Sequence, residues 1–496
     1  MASGSNSFKQ YCRQTTGNPQ TLQANPIFHK VRITTGSGAL TNSASVITSD
    51  EIRSDRQIVT NRKGINSPEL SLSGLELSFD SFDDLLEGAL GSDFQGGFTF
   101  TANVAVDTGG VFTLQGTEEW ADYRIQEGDY VKLTGATENI DVYGKVTLIE
   151  NNLGDEQLTL EALDGTALTT TEITEDVTFM TGHYAHHSLT VTVVADDNKF
   201  TLSGTDSWAD LEVEEGDWIE FAGFTAPSNN GWFNVESISG QDIIIAAPEV
   251  ALTDVTEDTG IQVFTNTGFI TVGVNLPYFA FEEGFTDIDQ GDDVDGNPVT
   301  DGVYHNIIGS RVNSFNMSIQ TDSVVTLGFD FVGMIYSGFK NASIAAGSED
   351  TNVNQVMDSF TGKLHIPDAP AVQAYISALD FTLDNGIERN VALFMRNAFA
   401  LEEGRASVSG NMTCFFMTPD VSNLFQNEVE FGMSLRMEDL DGHSYTLGFP
   451  RTKVNTDSLT IPENSITQSL GFVALGTGGG DKKKTLYMLR QPNPNV

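Results

Sequence analysis

The chain of 496 residues carries 69 acids against 25 bases, a formal net charge of −44. A protein that reads DNA grooves needs the opposite sign to meet phosphates, so that class is excluded. No run of about 18 apolar residues offers a membrane-spanning helix, and the N-terminal MASGSNSFKQYCRQ lacks the apolar centre of a signal peptide.

Synthesis and retention in a cytoplasm are the corresponding expectations. The length suits roughly three to four domains. Thr, Ser, Asn and Gly abound while Lys and Arg are scarce, the profile of an all-β protein with many turns. The acidity has two readings: plain solubility, or a surface that lets a polyanion pass without sticking. Cys12 and Cys414 stand far apart with no metal-like partners, so two reduced thiols are expected.

In chain order, residues 1–25 are polar and read as an N-terminal arm. Residues 26–97 carry β alternation and end in a helix, with Ser81 as its cap and Phe82, Leu85, Leu86 and Leu90 on one face. In the preceding strand the apolar set runs Leu70 and Leu72, then Leu75, Leu77 and Phe79; the slip at Gly74 predicts a bulge. Residues 98–182 and 183–268 are two copies of one small β module. FTLQGTEEWADYRIQEGDYVKLTGAT (112–137) and FTLSGTDSWADLEVEEGDWIEFAGFT (200–225) match at 13 of 26 positions, at an offset of 88. Each reads as a barrel or sandwich of five or six strands with Trp120 or Trp208 in its core.

Long alternating strands resume over 269–340 and belong with 26–97. A polar linker follows (341–360). Residues 361–475 form a second large unit, with a short helix starting at Thr418-Pro419. The Gly-rich, then basic tail (476–496) is expected to be mobile or docked on a neighbour. ELSLSGLELSF with FDDLLEGAL (69–90) returns faintly as ASVSGNMTCFF with VSNLFQNEV (406–429), so the two large units read as duplicates, with the small modules inserted in the first after its helix.

Several clusters attract chemical readings. DIDQGDDVDGNP (287–298) tempts a calcium reading but fails the EF-hand spacing; a solvated loop is the default. His183, His186 and His187 sit at the seam between the small modules, without a Cys or carboxylate at ligand spacing, and read as a solvated linker. Lys482–Lys484 read as solvated or paired with this chain's own acids. There is no GxSxG, Walker loop, HExxH or CxxC pair, so neither enzyme activity, cofactor nor metal is expected.

SDEIRSDRQIVTNRKG (49–64) with LSGLELSFDSFDDLLEGALG, then SALDFTLDNGIERN (377–390), EEGRASVSGNMTCFF and EDLDGHSYTLGFPRTKV (438–454), closely resemble the tail tube proteins of long flexible-tailed bacteriophages. The resemblance implies a mainly β fold: two tandem tail-tube β-sandwich domains (26–97 plus 269–340, and 361–475), each with one flanking α-helix, beside the two inserted barrel-like modules. It implies a structural virion protein, assembled in the host bacterial cytoplasm, whose rings stack into a tube. The lumen holds the tape-measure protein and conducts DNA without binding it specifically; tail terminator and distal tail proteins cap the ends. Single-domain relatives use six copies per ring, so two domains per chain imply a ring of three with pseudo-six-fold symmetry, six chains being the alternative. Arg53, Arg56, Arg62 and Lys63 are read as an inter-subunit or inter-ring contact, against local pairing with Asp50, Glu51 and Asp55. The lumen is expected to be net negative, and residues 98–268 to decorate the outside. The competing reading is a tandem β-module adhesin or carbohydrate-binding surface protein.

Overall fold

The computed structural model describes all residues except 1–6, 16, 35, 49–60, 108–109, 116–119, 135–141, 153–154, 166–174, 206, 249, 289–301, 367–375, 417–421, 423–424, 462–464, 477–484 and 495–496. The fold is mainly β. Two compact units are present: one of residues 1–92, 271–439 and 448–486, the other of 93–270, 440–447 and 487–496.

The first unit is organised on eight strands: β1 (Leu40–Thr48), β2 (Asn61–Glu76), β3 (Val303–Gln320), β4 (Thr326–Val332), β5 (Ile376–Asp384), β6 (Ser407–Phe415), β7 (Ser444–Thr460, in this unit from Gly448 on) and β8 (Thr467–Ala474). Antiparallel pairing runs β1-β2-β4-β3-β5-β6-β8-β7. Period-two alternation gives the six inner strands one apolar face: Leu70 and Leu72, Phe329 and Phe331, Phe315 and Met317, Phe381 and Leu383, Met412 and Cys414, and Leu470 and Phe472 are all nearly or fully buried. Each such Phe or Leu contributes about 1.5–3 kcal/mol of burial. The expected bulge is present. The β2–β4 register shifts between Leu72 and Leu75, and Gly74 sits at φ +64°, a left-handed conformation that suits glycine.

Helix α1 (Asp83–Leu90) buries Leu85, Leu86, Ala89 and Leu90. A Cβ on Gly88 would lie 2.6 Å from the Phe279 ring and 3.2 Å from Val312, so the helix backbone packs directly on the strands beneath it. Ser81 is not the cap. The N-cap is Phe82, without a side-chain bond, and the Ser81 hydroxyl instead meets Ser78 at 2.5 Å and Asn352 at 2.7 Å. Tertiary partners outcompeted the local cap. The second expected helix start, Thr418-Pro419, lies outside the described residues.

Ser7–Arg13, expected in a polar arm, is a strand antiparallel to Phe279–Phe285, with Tyr11 and Cys12 buried. Gly347–Glu349, in the expected linker, pairs parallel with Ile27–His29.

The second unit holds two closed six-stranded barrels. One uses Thr99–Asp107, Val111–Leu114, Tyr130–Thr134, Val142–Asn152, Asp155–Ala162 and Glu175–Gly182; the other Ala185–Val194, Lys199–Leu202, Trp218–Ala222, Gly231–Ser239, Asp242–Ile245 and Val255–Thr265. Both follow the same cyclic order of first, second, fifth, fourth, third and sixth strand. Trp120 and Trp208 are fully buried in the two cores. The chain enters, crosses between and leaves the barrels at Gly96, Gly182 and Gly268. A Cβ on Gly96 would come within 2.4 Å of Gly182 backbone, and one on Gly268 within 2.4 Å of the Gly96 carbonyl. Gln95 and Phe269 bond each other's backbone in both directions at 2.9 Å. Tyr487–Gln491, expected in a mobile or docked tail, is a buried strand of this unit.

Candidate assembly face and edges

The eight-stranded ladder of the first unit repeats itself row by row. One row reads Val312, Phe331, Leu70, Leu40 across β3, β4, β2 and β1. Another reads Val454, Phe472, Gly410, Phe381 across β7, β8, β6 and β5. Strand β3 carries a bulge between Val312 and Ser314, and β7 carries one between Val454 and Thr456. RVNSFNMS (311–318) thus lies over KVNTDSLT (453–460), with Asn313 and Asn455 as matching bulge residues. Each quartet has its long hairpin partner, Phe279–Phe285 before β3 and Glu430–Glu438 before β7. The row match places Glu69 with Ser409 rather than with Ala406. The sequence match of 69–79 with 406–416 differs from this register by three residues, because Ser and Gly recur on both strands.

The two quartets join through β3 and β5, where Phe315 faces Leu383, Met317 faces Phe381 and Ile319 faces Leu379. Among the described residues the ladder ends at β1 on one side and at the Thr456–Thr460 end of β7 on the other. Thr41, Asn42 and Ser43 on β1 and Thr456, Ser458, Leu459 and Thr460 on β7 are exposed.

The face of the ladder away from the core is lined by small polar side chains, among them Ser71, Asn316, Thr382, Ser409 and Ser469. Glu69, Glu76, Asp330, Asp380 and Asp384 share it with Lys453, Arg451 and Arg311. Lys453 is held by Glu428 at 2.6 Å, Arg389 reaches Glu69 at 3.1 Å, and Asp330 accepts bonds from Ser71 and Ser314. The face is therefore wet, short-chained and acidic.

Of the basic cluster, Arg53 and Arg56 lie outside the described residues. Arg62 and Lys63 are exposed on β2, opposite Ile47 and Val46, which are themselves about 60% exposed. The matching connection in the other quartet, between β5 and β6, carries apolar residues instead: Leu393, Phe394 and Met395 are all exposed. Sequence reading passed over them, although LFM in a surface connection was the available signal.

Other clusters settle into structure. His183 is not solvated: it is buried, its Nδ1 lies 2.8 Å from the Thr267 carbonyl, and its ring stacks near Phe269. His186 is half-buried against the Leu211 carbonyl, and burial lowers its pKa. His187 is exposed and bonds Ser188. Most of the 287–298 acidic run and all of Lys482–Lys484 lie outside the described residues. Cys12 and Cys414 are buried free thiols; burial pushes Cys12 up to about 11.

One buried ionic cluster escaped the sequence. Glu283 lies 3.2 Å from Lys9 and 2.9 Å from His305, all deep in the first unit. Burial alone would raise the Glu283 carboxyl, but His305 and Lys9 hold it below its ordinary value. This cluster ties Ser7–Arg13 to the sandwich.

The mainly β fold with its two barrels agrees with the fold class that the resemblance implies. No curated protein matches the chain. The family model for phage tail tube proteins matches residues 4–474, nearly the whole chain, and the chain belongs to that family.

Proposed function

We propose that this chain is a tail tube subunit of which three copies close one ring with pseudo-six-fold symmetry, the rings stacking into a conduit that holds the tape-measure protein and conducts DNA during ejection. The observation that carries the reading is the ladder of two equivalent quartets. Strands lie about 4.8 Å apart and tilt by about 40° in barrels. Eight strands from one chain would close at roughly 16 Å across the backbone, a bore that side chains fill; three chains give roughly 48 Å and six roughly 96 Å. Three chains leave a channel for a double helix without leaving a void far wider than one.

The polar, acidic face of the ladder is the lumen in this reading. DNA carries about one charge per 1.7 Å, so a basic wall would hold it through counterion release, while an acidic wall lets it slide. At physiological salt the repulsion is screened beyond about 8 Å. Arg53 and Arg56, together with Arg62 and Lys63 at the start of β2, meet acidic surface of a neighbouring subunit or ring. The two barrels decorate the outside. Terminator and distal proteins cap the tube, and assembly takes place in the host cytoplasm.

Negative-stain microscopy of the purified chain should give rings or tubes with a central hole, and native mass measurement of rings should give three copies. Six copies would remove the pseudo-six-fold reading. Uniform monomers at high concentration, combined with glycan binding, would replace the tube by an adhesin. Joining Gly97 to Phe269 should leave a chain that still forms tubes; a folded deletion variant that never polymerises would place the barrels within the contacts.

A further inference from the structure

We propose that Tyr487–Asn493 is a strap, a segment that fastens both barrels at their common root to residues 440–447 of the same unit, with one face of its strand on each barrel.

The pleat of the strand carries the proposal. Tyr487–Gln491 is bordered by Gly268–Thr271 and by β7, and Met488 to Gln491 are all buried. Successive side chains point to opposite faces, so Tyr487, Leu489 and Gln491 share one face and Met488 and Arg490 the other. On the first face the Tyr487 hydroxyl donates to Glu214 at 3.2 Å, and the Gln491 amide donates to Asp217 at 2.9 Å. Both acceptors belong to the acidic turn of the second barrel, EEGD (214–217). On the opposite face Arg490 donates to the Gly97 carbonyl, and its guanidinium lies 4.6 Å from the centre of the Phe98 ring, at the entry to the first barrel. The fastening continues into 440–447. The side-chain oxygen of Gln491 accepts from Ser444 and Thr446, each at 2.9 Å. The Asn493 N–H donates to His443 and its side-chain amide to the Asp441 carbonyl, each at 2.8 Å. One glutamine amide thus bridges a barrel turn and 440–447, with its donor and its acceptor both engaged.

Two observations separate a strap from a further barrel strand. Each barrel closes on six strands without Tyr487–Gln491, so the strap adds no rung to either. The receiving turn is also particular to the second copy. Glu214, the acceptor of the phenol, stands where the first copy has Gln126, whose amide turns to the Phe94 carbonyl at 2.9 Å. The copies share a strand order and a core, and they differ at a residue that the strap touches. The strap should therefore open while both barrels stay folded.

Hydrogen exchange on the full chain tests this. Gln491→Glu keeps the acceptor for Ser444 and Thr446 but sets a second buried carboxylate against Asp217. Exchange of Tyr487–Gln491 and of the root amides of Gly97, His183 and Phe269 should rise by about tenfold or more, while Thr99–Asp107 and Ala185–Val194 in the barrels keep their protection. Adding Asp217→Asn places a donor opposite the new acid and should recover part of the loss; a double variant no better protected than Gln491→Glu removes this amide as the fastener and overturns the proposal. Unchanged roots overturn it too, since the strand would then be passive cover. So does equal loss in the barrel strands, which would make the strand part of the barrel fold. Should Gln491→Glu fail to fold, exchange of the unmodified chain decides: strand and roots opening together ahead of the barrel strands supports the strap, and opening only with them sinks it. None of these outcomes depends on whether the chain forms tubes.

Discussion

The two barrels share a strand order and a buried tryptophan, yet they surround the buried aspartate of their common Gly-Asp turn with different partners. Asp217 in the second barrel accepts bonds from the Glu214 N–H, Tyr184, Thr267 and Gln491 at 2.8–3.1 Å. Asp129 in the first is just as buried but receives backbone N–H groups from Gln126 and Gly96, and burial pushes its carboxyl up to about 7. The difference traces to one position. Eighty-eight residues before Tyr184 stands Gly96, which offers a backbone N–H where the second copy offers a hydroxyl. Duplication copied the core; the polar partners diverged. The same offset links Lys132 to Glu220, equivalent residues that have become opposite charges and now pair across the barrels at 2.6 Å, about 90% buried.

Breaking the shared part should cost most. Trp120→Ala and Trp208→Ala should each lower unfolding free energy by about 3–5 kcal/mol in urea titration of the full chain, because each empties a core. Replacement by Phe should separate them. Trp208 donates to the Gln241 carbonyl at 2.7 Å, whereas the Trp120 indole nitrogen has no acceptor among the described residues. Trp208→Phe is therefore expected to cost about 1 kcal/mol more than Trp120→Phe. Equal costs would mean that the indole bond contributes nothing.

Next in size is the charge pair. Lys132→Ala strands a buried Glu220 and should cost about 3 kcal/mol, a loss that pairing it with Glu220→Gln largely restores. A double-mutant cycle with no coupling would show that the two barrels do not lean on each other there.

The aspartates sharpen the contrast further. Asp217→Asn turns one acceptor oxygen into a donor facing donors, and about 2 kcal/mol should be lost. Asp129→Asn should cost under about 1 kcal/mol near pH 7, because burial already favours the uncharged carboxyl. A carboxyl raised in the folded state binds its proton more tightly there than when unfolded. Stability should accordingly rise as pH falls from about 8 through 7 toward the unfolded value near 4. Hydrogen exchange of the first barrel should follow that trend and flatten in Asp129→Asn. A pH-independent wild-type barrel would mean that Asp129 is better solvated than its burial implies.

What was legible in the sequence was local. The Gly74 bulge follows from a slipped alternation, the barrels from an offset of 88, and the buried tryptophans from their size. What was not legible depended on distant partners. SFKQYCR looks like a polar arm, yet Lys9 is neutralised by Glu283 and Gln10 bonds Ser348. Arg490 and Gln491 look like tail residues, yet Arg490 lies over the Phe98 ring at 4.6 Å and Gln491 accepts from Ser444 and Thr446. Ser81 has the composition of a cap but is claimed by Asn352. The basic cluster was legible as a cluster only. Arg62 and Lys63 stand exposed on β2, and Arg53 and Arg56 lie outside the described residues.

The root of the barrels has a consequence for how such a chain can change. Gln95 and Phe269 are hydrogen-bonded to each other, so everything between them leaves and returns through one ladder rung. A guest domain whose own ends lie a few ångströms apart could be spliced at that rung without altering the spacing of its two stems. The three glycines set the condition of entry, since a side chain at any of them would force the stems apart. The root is a socket defined by one rung and three glycines.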